Sequence, residues 1–440
     1  MTEIIIEVSR YLMILLLGCY TYFNFRFFSF SDLDRKRTMC ARQIQAMFMI
    51  HLLAYLIIYL KTGDEKVLAF YGAQVLFFLL YIYLSRLFYR NVSRLLVNNA
   101  CMLLCVGLIM LTRISFDKAV RQFAVIVASA VITWIVPCII DHVWQLSRGA
   151  WVYGMAGLLL LLVVCIVGDT TFGAQLSLKI HGLSFQPSEF VKLTFVFFTA
   201  AMFYRSTSFR SVAVTTAVAA AHVIILVASR DLGGALLFFI TYLFMLFIAT
   251  SNWLYLGGGL LSGCGAAILA YALFPHVQTR VAAWADPFLD IDNKGYQVAQ
   301  SLFAIGTGGW LGMGLYRGMP YMIPVVEKDF IFAAICEELG GCFALCVLLI
   351  CVGCFLQFMM IAGKMQAVFF KLIAFGLGVV YIVQVILTVG GVIKFIPSTG
   401  VTLPFVSYGG SSILSTFLLF QVVQGLYILK KNEEEEYEEG

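Results

Sequence analysis

The chain has 440 residues, 62% of them hydrophobic and 12% charged, with a mean hydropathy of +0.94. Globular proteins carry about 25% charged residues, so the composition excludes an ordinary soluble enzyme and fits a polytopic membrane protein. The formal charge of +5 is too small for a nucleic-acid surface and suits short basic cytoplasmic loops.

At the N-terminus Glu3 stands where a signal peptide would carry base, and no small-residue cleavage site follows the first apolar run. That run reads as a retained span. A crossing helix needs about 20 mostly apolar residues. The sequence thus predicts an all-α protein with about thirteen spans, near 9–27, 45–60, 67–84, 98–112, 122–140, 151–168, 188–204, 211–228, 233–249, 254–273, 331–361, 372–393 and 411–429. The eleventh is too long for one straight crossing, and Gly340-Gly341 marks a bend or a close helix contact. Arg35, Lys36, Arg37 and Arg42 follow the first span, and Arg86, Arg90 and Arg94 follow the third. The positive-inside rule makes those loops cytoplasmic, which puts the N-terminus outside and the C-terminus inside. Most of the 12 cysteines sit in apolar runs and read as small buried hydrophobes. The five histidines are scattered and suggest no metal cluster.

Ionisable groups within spans are costly, so each is a candidate for function. Glu189 and Lys192, at i and i+3 in Phe185-Gln186-Pro187-Ser188-Glu189-Phe190-Val191-Lys192, share one helical face. They either fix helix packing or line a site for an anionic lipid headgroup. Pro187 suits the first helical turn. Asp231, before Leu232-Gly233-Gly234, reads as an N-cap.

Residues 274–329 form the long polar interval, the predicted large extracellular loop. It runs from Arg280 through Gly295-Tyr296-Gln297, Ser301 and a glycine-rich stretch to Pro324, Glu327, Lys328 and Asp329. Loops this long are functional or disordered, and its Gly, Trp, Tyr and Phe content argues against disorder. Asp329 opens the span at 331 and is open to two readings, helix cap or tuned acid. Glu327, Lys328, Glu337 and Glu338 crowd ionisable groups around it, and such crowding can tune a carboxylate into a general base. Neither Glu337 nor Glu338 should face lipid, so at least one points into a wet cavity or pairs with a base. Residues 397–412 hold Pro397, Pro404, Gly400, Gly409 and Gly410, which preclude regular helix. This stretch, with Ser407 and Tyr408, reads as a re-entrant or surface loop on the side of Asp329. The tail at 431–440 is acidic, with Glu433 to Glu436, Glu438 and Glu439, and reads as a solvated cytoplasmic end.

Four segments in order resemble the SEDS family (shape, elongation, division and sporulation), whose members include FtsW, RodA and SpoVE. They are FQPSEFVKL at 185–193, DLGGALL at 231–237, GYQVAQSLFAIGTGGWLGMGL at 295–315 with DFIFAAICEELG at 329–340, and PSTGVTLPFVSYGGSS at 397–412. The resemblance implies a core of roughly ten spans over 96–430, preceded by an added N-terminal module of about three spans in 1–95. It implies a peptidoglycan glycosyltransferase in a bacterial plasma membrane that polymerises lipid II at the outer face, with a class B penicillin-binding protein as partner. In the family the aspartate before Phe-Ile-Phe is essential, which makes Asp329 the implied general base. Gln186, Glu189, Lys192, Arg280, Tyr296, Gln297, Ser301, Glu338, Ser407 and Tyr408 are the candidate substrate contacts, with Lys192 and Arg280 the candidates for the pyrophosphate.

A hard divalent cation, magnesium or manganese, fits that chemistry, with too few evident ligands to name a site. The chain departs from the family where Pro-Glu-x-His-Thr-Asp is replaced by Pro324-Val325-Val326-Glu327-Lys328-Asp329. It departs again at Gly173-Ala174-Gln175-Leu176-Ser177 and at Ser229-Arg230. The competing readings are a lipid II flippase and a non-catalytic scaffold for the transpeptidase.

Overall fold

The computed structural model describes residues 2–142, 144–171, 174–180 and 183–439. Its helices are α1 (Thr2–Arg26), α2 (Leu33–Thr62), α3 (Glu65–Phe88), α4 (Arg94–Ile114), α5 (Phe116–Thr133), α6 (Val136–His142), α7 (Ala150–Val167), α8 (Ser188–Arg205) and α9 (Phe209–Ala228). They continue as α10 (Leu232–Thr250), α11 (Trp253–Leu273), α12 (Pro275–Ala285), α13 (Tyr296–Gly308), α14 (Ile331–Leu339), α15 (Gly341–Lys364), α16 (Val368–Val392) and α17 (Gly410–Glu439). Among the described residues, 12 helices are long and apolar enough to cross a membrane. The predicted span at 188–204 is matched in place by α8, whose 18 residues carry Glu189, Lys192 and Arg205.

Several helices outrun their apolar windows. The basic stretch Arg35 to Arg42, expected as a loop, is the first part of α2, which Asp32 caps by accepting the Asp34 N–H at 3.0 Å. At the other end Gly63 takes φ 65°, and Asp64 then caps α3 from the Lys66 N–H at 2.9 Å. The acidic tail is likewise helical: Glu434 pairs with Lys430 and Lys431, each at 2.7 Å, one turn back along α17.

The fold is the all-α polytopic one expected, and between α7 and α8 it adds an unforeseen three-stranded antiparallel sheet of β1 (Asp169–Thr171), β2 (Ala174–Ile180) and β3 (Leu183–Phe185). Asp169 registers with Ser177, and Leu178 with Phe185. The departure at 173–177 falls on this sheet; Gly173 and His181 lie outside the described residues.

The chain folds into two compact units, one of residues 1–131, 281–354 and 388–409, the other of 132–280, 355–387 and 410–440. In the first, the apolar stretch of α4 is wholly buried, from Leu95 to Thr112. A polar seam fastens it to the N-terminal helices. Asn99 Nδ2 donates to Asn24 Oδ1 at 2.9 Å, and Tyr20 Oη donates to Asn99 Oδ1 at 3.0 Å. Asn98 Nδ2 reaches the Cys40 carbonyl at 3.0 Å, and the Tyr55 and Thr112 hydroxyls meet at 2.8 Å. In lipid, where apolar surface gives no drive for helices to associate, such bonds select the partner helix. In the second unit α7, α8, α9 and α10 pack on one another and α17 packs on α6 and α8.

The interval expected as a loop contains α12, α13 and a 3-10 turn at Pro320–Met322. The long span predicted at 331–361 is two helices, because Gly340 takes φ 95° and ends α14. A Cβ there would stand 2.5 Å from the Gly312 nitrogen, so only glycine permits the approach. The nine residues of α14 are too few to cross a bilayer, and α15 is the span.

Candidate functional site

In the first unit Asp329 is half-buried, in the turn that leads into α14. The cap position falls on Phe330, one residue later, and makes no side-chain cap bond. The backbone just before Asp329 is pinned from the 397–409 loop. The Tyr408 N–H donates to the Glu327 carbonyl at 2.7 Å, and Ser407 Oγ donates to the Lys328 carbonyl at 2.5 Å. Ser407 Oγ also accepts the Leu403 N–H at 2.8 Å. Gln122 braces that loop, donating to the Ser407 carbonyl at 3.1 Å and accepting the Gly409 N–H at 3.2 Å. Gln297 Nε2 holds the Pro324 carbonyl at 2.9 Å. Val325 takes φ 55°, a conformation that a β-branched residue adopts only at a cost of about 1–3 kcal/mol. These bonds supply the restraint that keeps it there.

The charges expected to crowd Asp329 are largely matched elsewhere. Glu327 pairs with Lys118. Glu338, fully buried, pairs with Arg113 Nε at 2.9 Å, while Arg113 Nη2 donates to the Gly318 carbonyl at 3.2 Å and its guanidinium lies 4.1 Å from the Tyr316 ring centre. Burial pushes the Glu338 carboxyl up to about 7, against the opposing pull of the Arg113 charge. Glu337 Oε1 accepts the Met319 N–H at 2.9 Å. Glu338 thus pairs with a base, one of the two outcomes that the sequence left open for Glu337 and Glu338. Ser301 is buried, its hydroxyl donating to the Val392 carbonyl at 2.9 Å, and Tyr296 opens α13 half-buried.

The second unit gathers the other predicted residues. Lys192 Nζ meets Glu189 Oε2 at 2.6 Å and Gln384 Oε1 at 2.9 Å, and Ser415 Oγ donates to the same Glu189 oxygen at 2.8 Å. Ser411 Oγ accepts the Gln186 N–H at 2.9 Å, tying the Gln-Pro-Ser-Glu turn to α17. Asp231 caps α10 as predicted, its Oδ1 accepting the Gly234 N–H at 2.8 Å. Burial raises the Asp231 carboxyl and Glu189 adds to the shift, while the Gly234 N–H, the Arg280 charge and the Ser188 hydroxyl oppose it. His276 on α12 is shifted down, by burial first and then by Arg280 and Arg230.

Arg113, Lys118, Gln122 and Gln384 were not singled out from the sequence. The first three stand at or just beyond a span edge, where an isolated base or amide reads as an ordinary boundary residue. Among the described residues no group of three or more His, Cys, Asp or Glu side chains is placed to hold a metal ion.

A family model for the cell cycle proteins FtsW, RodA and SpoVE matches residues 93–432. The chain belongs to this family. The peptidoglycan glycosyltransferase RodA of Mycobacterium tuberculosis (strain H37Rv) is 34% identical over 317 residues, covering 68% of this chain and 67% of that protein. A probable peptidoglycan glycosyltransferase FtsW of Aliivibrio salmonicida is 31% identical over 334 residues, covering 71% and 83%. Among solved structures, a chain of a peptidoglycan synthase complex that coordinates polymerization and crosslinking superposes with a TM-score of 0.65 at 23% identity, over 76% of this chain and 97% of that one. The rod shape determining protein RodA of Thermus thermophilus gives 0.58 at 23% identity, over 76% and 96%. At that identity the likeness establishes the fold, and with 12 candidate spans the chain is a multi-pass bacterial membrane protein.

Proposed function

We propose that Asp329 is the general base of lipid II polymerisation in this chain. The activity is that of its family, and the chain is a peptidoglycan glycosyltransferase. In the step we assign, the Asp329 carboxylate takes the proton of the acceptor sugar's 4-hydroxyl. The freed oxygen bonds to the donor's anomeric carbon as that carbon's bond to the pyrophosphate breaks, and undecaprenyl pyrophosphate leaves with the electron pair. A base must lie within hydrogen-bond reach of its proton and stay there. The observation that supports Asp329 is its setting: a half-buried acid in a strained turn, with the Glu327 and Lys328 carbonyls just before it held by Tyr408 and Ser407.

The leaving pyrophosphate needs positive charge. Arg280, with Arg230 beside His276, is our assignment for that role. Lys192, already matched by Glu189 and Gln384, contributes through its field. A magnesium or manganese ion would suit the same phosphates, with one or two carboxylates as its protein ligands. We assign Asp329 to the exterior side, from the basic residues that follow the first and third spans, and a class B penicillin-binding protein as the partner that crosslinks the product.

The test is polymerisation of lipid II by purified protein, with and without the co-expressed transpeptidase. Asp329→Asn should lower the rate by about 10²–10⁴-fold with the folded yield unchanged. Full activity in Asp329→Asn rules out the base assignment. Movement of labelled lipid across liposomes with no polymer formed would point to a flippase instead.

A further inference from the structure

The three helices ahead of the family match carry ionisable groups that the reaction does not use. Glu3, Glu7 and Arg10 recur at i, i+4 and i+7 on α1 and so share one face. That face grips the loop between α13 and α14. Arg317 Nη1 donates to Glu7 Oε2 at 2.5 Å, and its Nη2 donates to Glu3 Oε2 at 2.9 Å and to the Glu3 carbonyl at 3.3 Å. Arg10, itself paired with Glu7, donates Nη1 to the Gly312 carbonyl at 2.7 Å.

The same loop holds the far end of α14. The Met313 N–H donates to the Glu337 carbonyl at 2.9 Å, and the Gly314 N–H donates to the Glu338 carbonyl at 2.8 Å. The Met319 N–H reaches the Glu337 carboxylate at 2.9 Å. Six helical residues, Ile331 to Cys336 or roughly 9 Å, separate those anchors from the turn that carries Asp329. A continuous set of contacts therefore runs from α1 through the loop and α14 to Asp329, all within one compact unit.

We propose that Arg317 is a positioning residue for Asp329, through which the added N-terminal helices fix the placement of α14. The inference rests on the reading of Asp329 as the base. Exposed ion pairs contribute little to stability, and Arg317 is 30% exposed. What its planar fork supplies is geometry, because two carboxylates and a carbonyl of one helix hold it from a single side. A base displaced by about 1 Å can cost up to roughly 10²-fold in rate.

The experiment compares Arg317→Gln, Arg317→Lys, Glu3→Gln/Glu7→Gln and the triple neutral variant in full-length protein, by kcat and KM for lipid II and by thermal unfolding in detergent. Arg317→Gln and Glu3→Gln/Glu7→Gln should each lower kcat about tenfold or more with KM unchanged. The triple variant should be no worse than Glu3→Gln/Glu7→Gln, which already removes the Arg317 contact together with the Glu7–Arg10 pair. Arg317→Lys, which keeps the charge and loses the fork, should fall between. Unchanged kcat in a folded Arg317→Gln protein, or losses that multiply in the triple variant, would overturn the proposal. Should Arg317→Gln fail to fold, Glu3→Gln/Glu7→Gln decides on the same kcat criterion. Asp329→Asn, run alongside, reports on the base itself: if it retains full activity the base reading fails, whatever the Arg317 series gives.

Discussion

The two charged regions of this protein are built in opposite ways. Around Asp329 the ionisable groups stand on turns and a nine-residue helix, and hydrogen bonds to the backbone hold those turns in addition to the ion pairs with Arg113 and Lys118. Around Glu189 they stand on regular helices, and side chains of neighbouring helices satisfy them. A helix positions a charge through its own ladder, so the second region needs only complementary partners. A turn has no such ladder, and the first region needs an external scaffold of Gln122, Ser407 and Arg10. The irregular region can therefore be disturbed from a distance, and the helical one only locally.

The largest expected effect on stability comes from Arg113→Met, which leaves Glu338 buried with its ion-pair partner gone. Breaking a buried pair costs about 3–5 kcal/mol. The cost should depend on pH, and the sign follows from Glu338. Its folded-state value of about 7 lies above the ordinary 4.5, so the folded protein holds this proton more tightly than the unfolded chain. The stability this group contributes is fully present below about pH 4.5 and is lost as pH rises toward 7. Arg113→Met should therefore be most harmful at about pH 8, where the carboxylate is charged, and milder near pH 5. Thermal unfolding of both proteins in detergent at the two pH values measures this, with Glu338→Gln as the reference that cannot titrate. An equal loss at both would mean that Arg113 matters through packing on Tyr316 rather than through charge.

Lys192→Met tests the helical region and should cost less, about 2–3 kcal/mol, because Glu189 keeps the Ser415 hydroxyl and is 13% exposed. Adding Glu189→Gln should restore most of that loss. A double variant whose losses simply add would show that the pair is not one unit.

The same contrast decides what could be read from the sequence. Glu189 with Lys192, the Asp231 cap and the break at Gly340 were legible because helix spacing, capping and glycine punctuation are local rules. The bases opposite Glu338 and Glu327 were not, since Arg113 and Lys118 are more than 200 residues away along the chain. The sheet was missed although Gln175-Leu176-Ser177-Leu178-Lys179-Ile180 alternates polar and apolar residues, the period of a strand. A search for spans passes over so short a run. Asn98 and Asn99 were passed over for a related reason: attention to ionisable groups hides neutral amides, which here join helices within the membrane region.

The smallest effect separates structure from chemistry at Asp231. Its carboxylate accepts one backbone N–H, as any N-cap acceptor does, and Asp231→Ala should cost about 1 kcal/mol in thermal unfolding. Asparagine offers the same acceptor without the charge. Burial and Glu189 both raise the Asp231 carboxyl, so the negative charge brings no net benefit to folding, and Asp231→Asn should lie within about 0.5 kcal/mol of the parent. If Asp231 is only a cap, polymerisation by Asp231→Asn should match the parent. A stable but inactive Asp231→Asn would instead assign its charge a part in the reaction. The helical region would then carry chemistry as well as support.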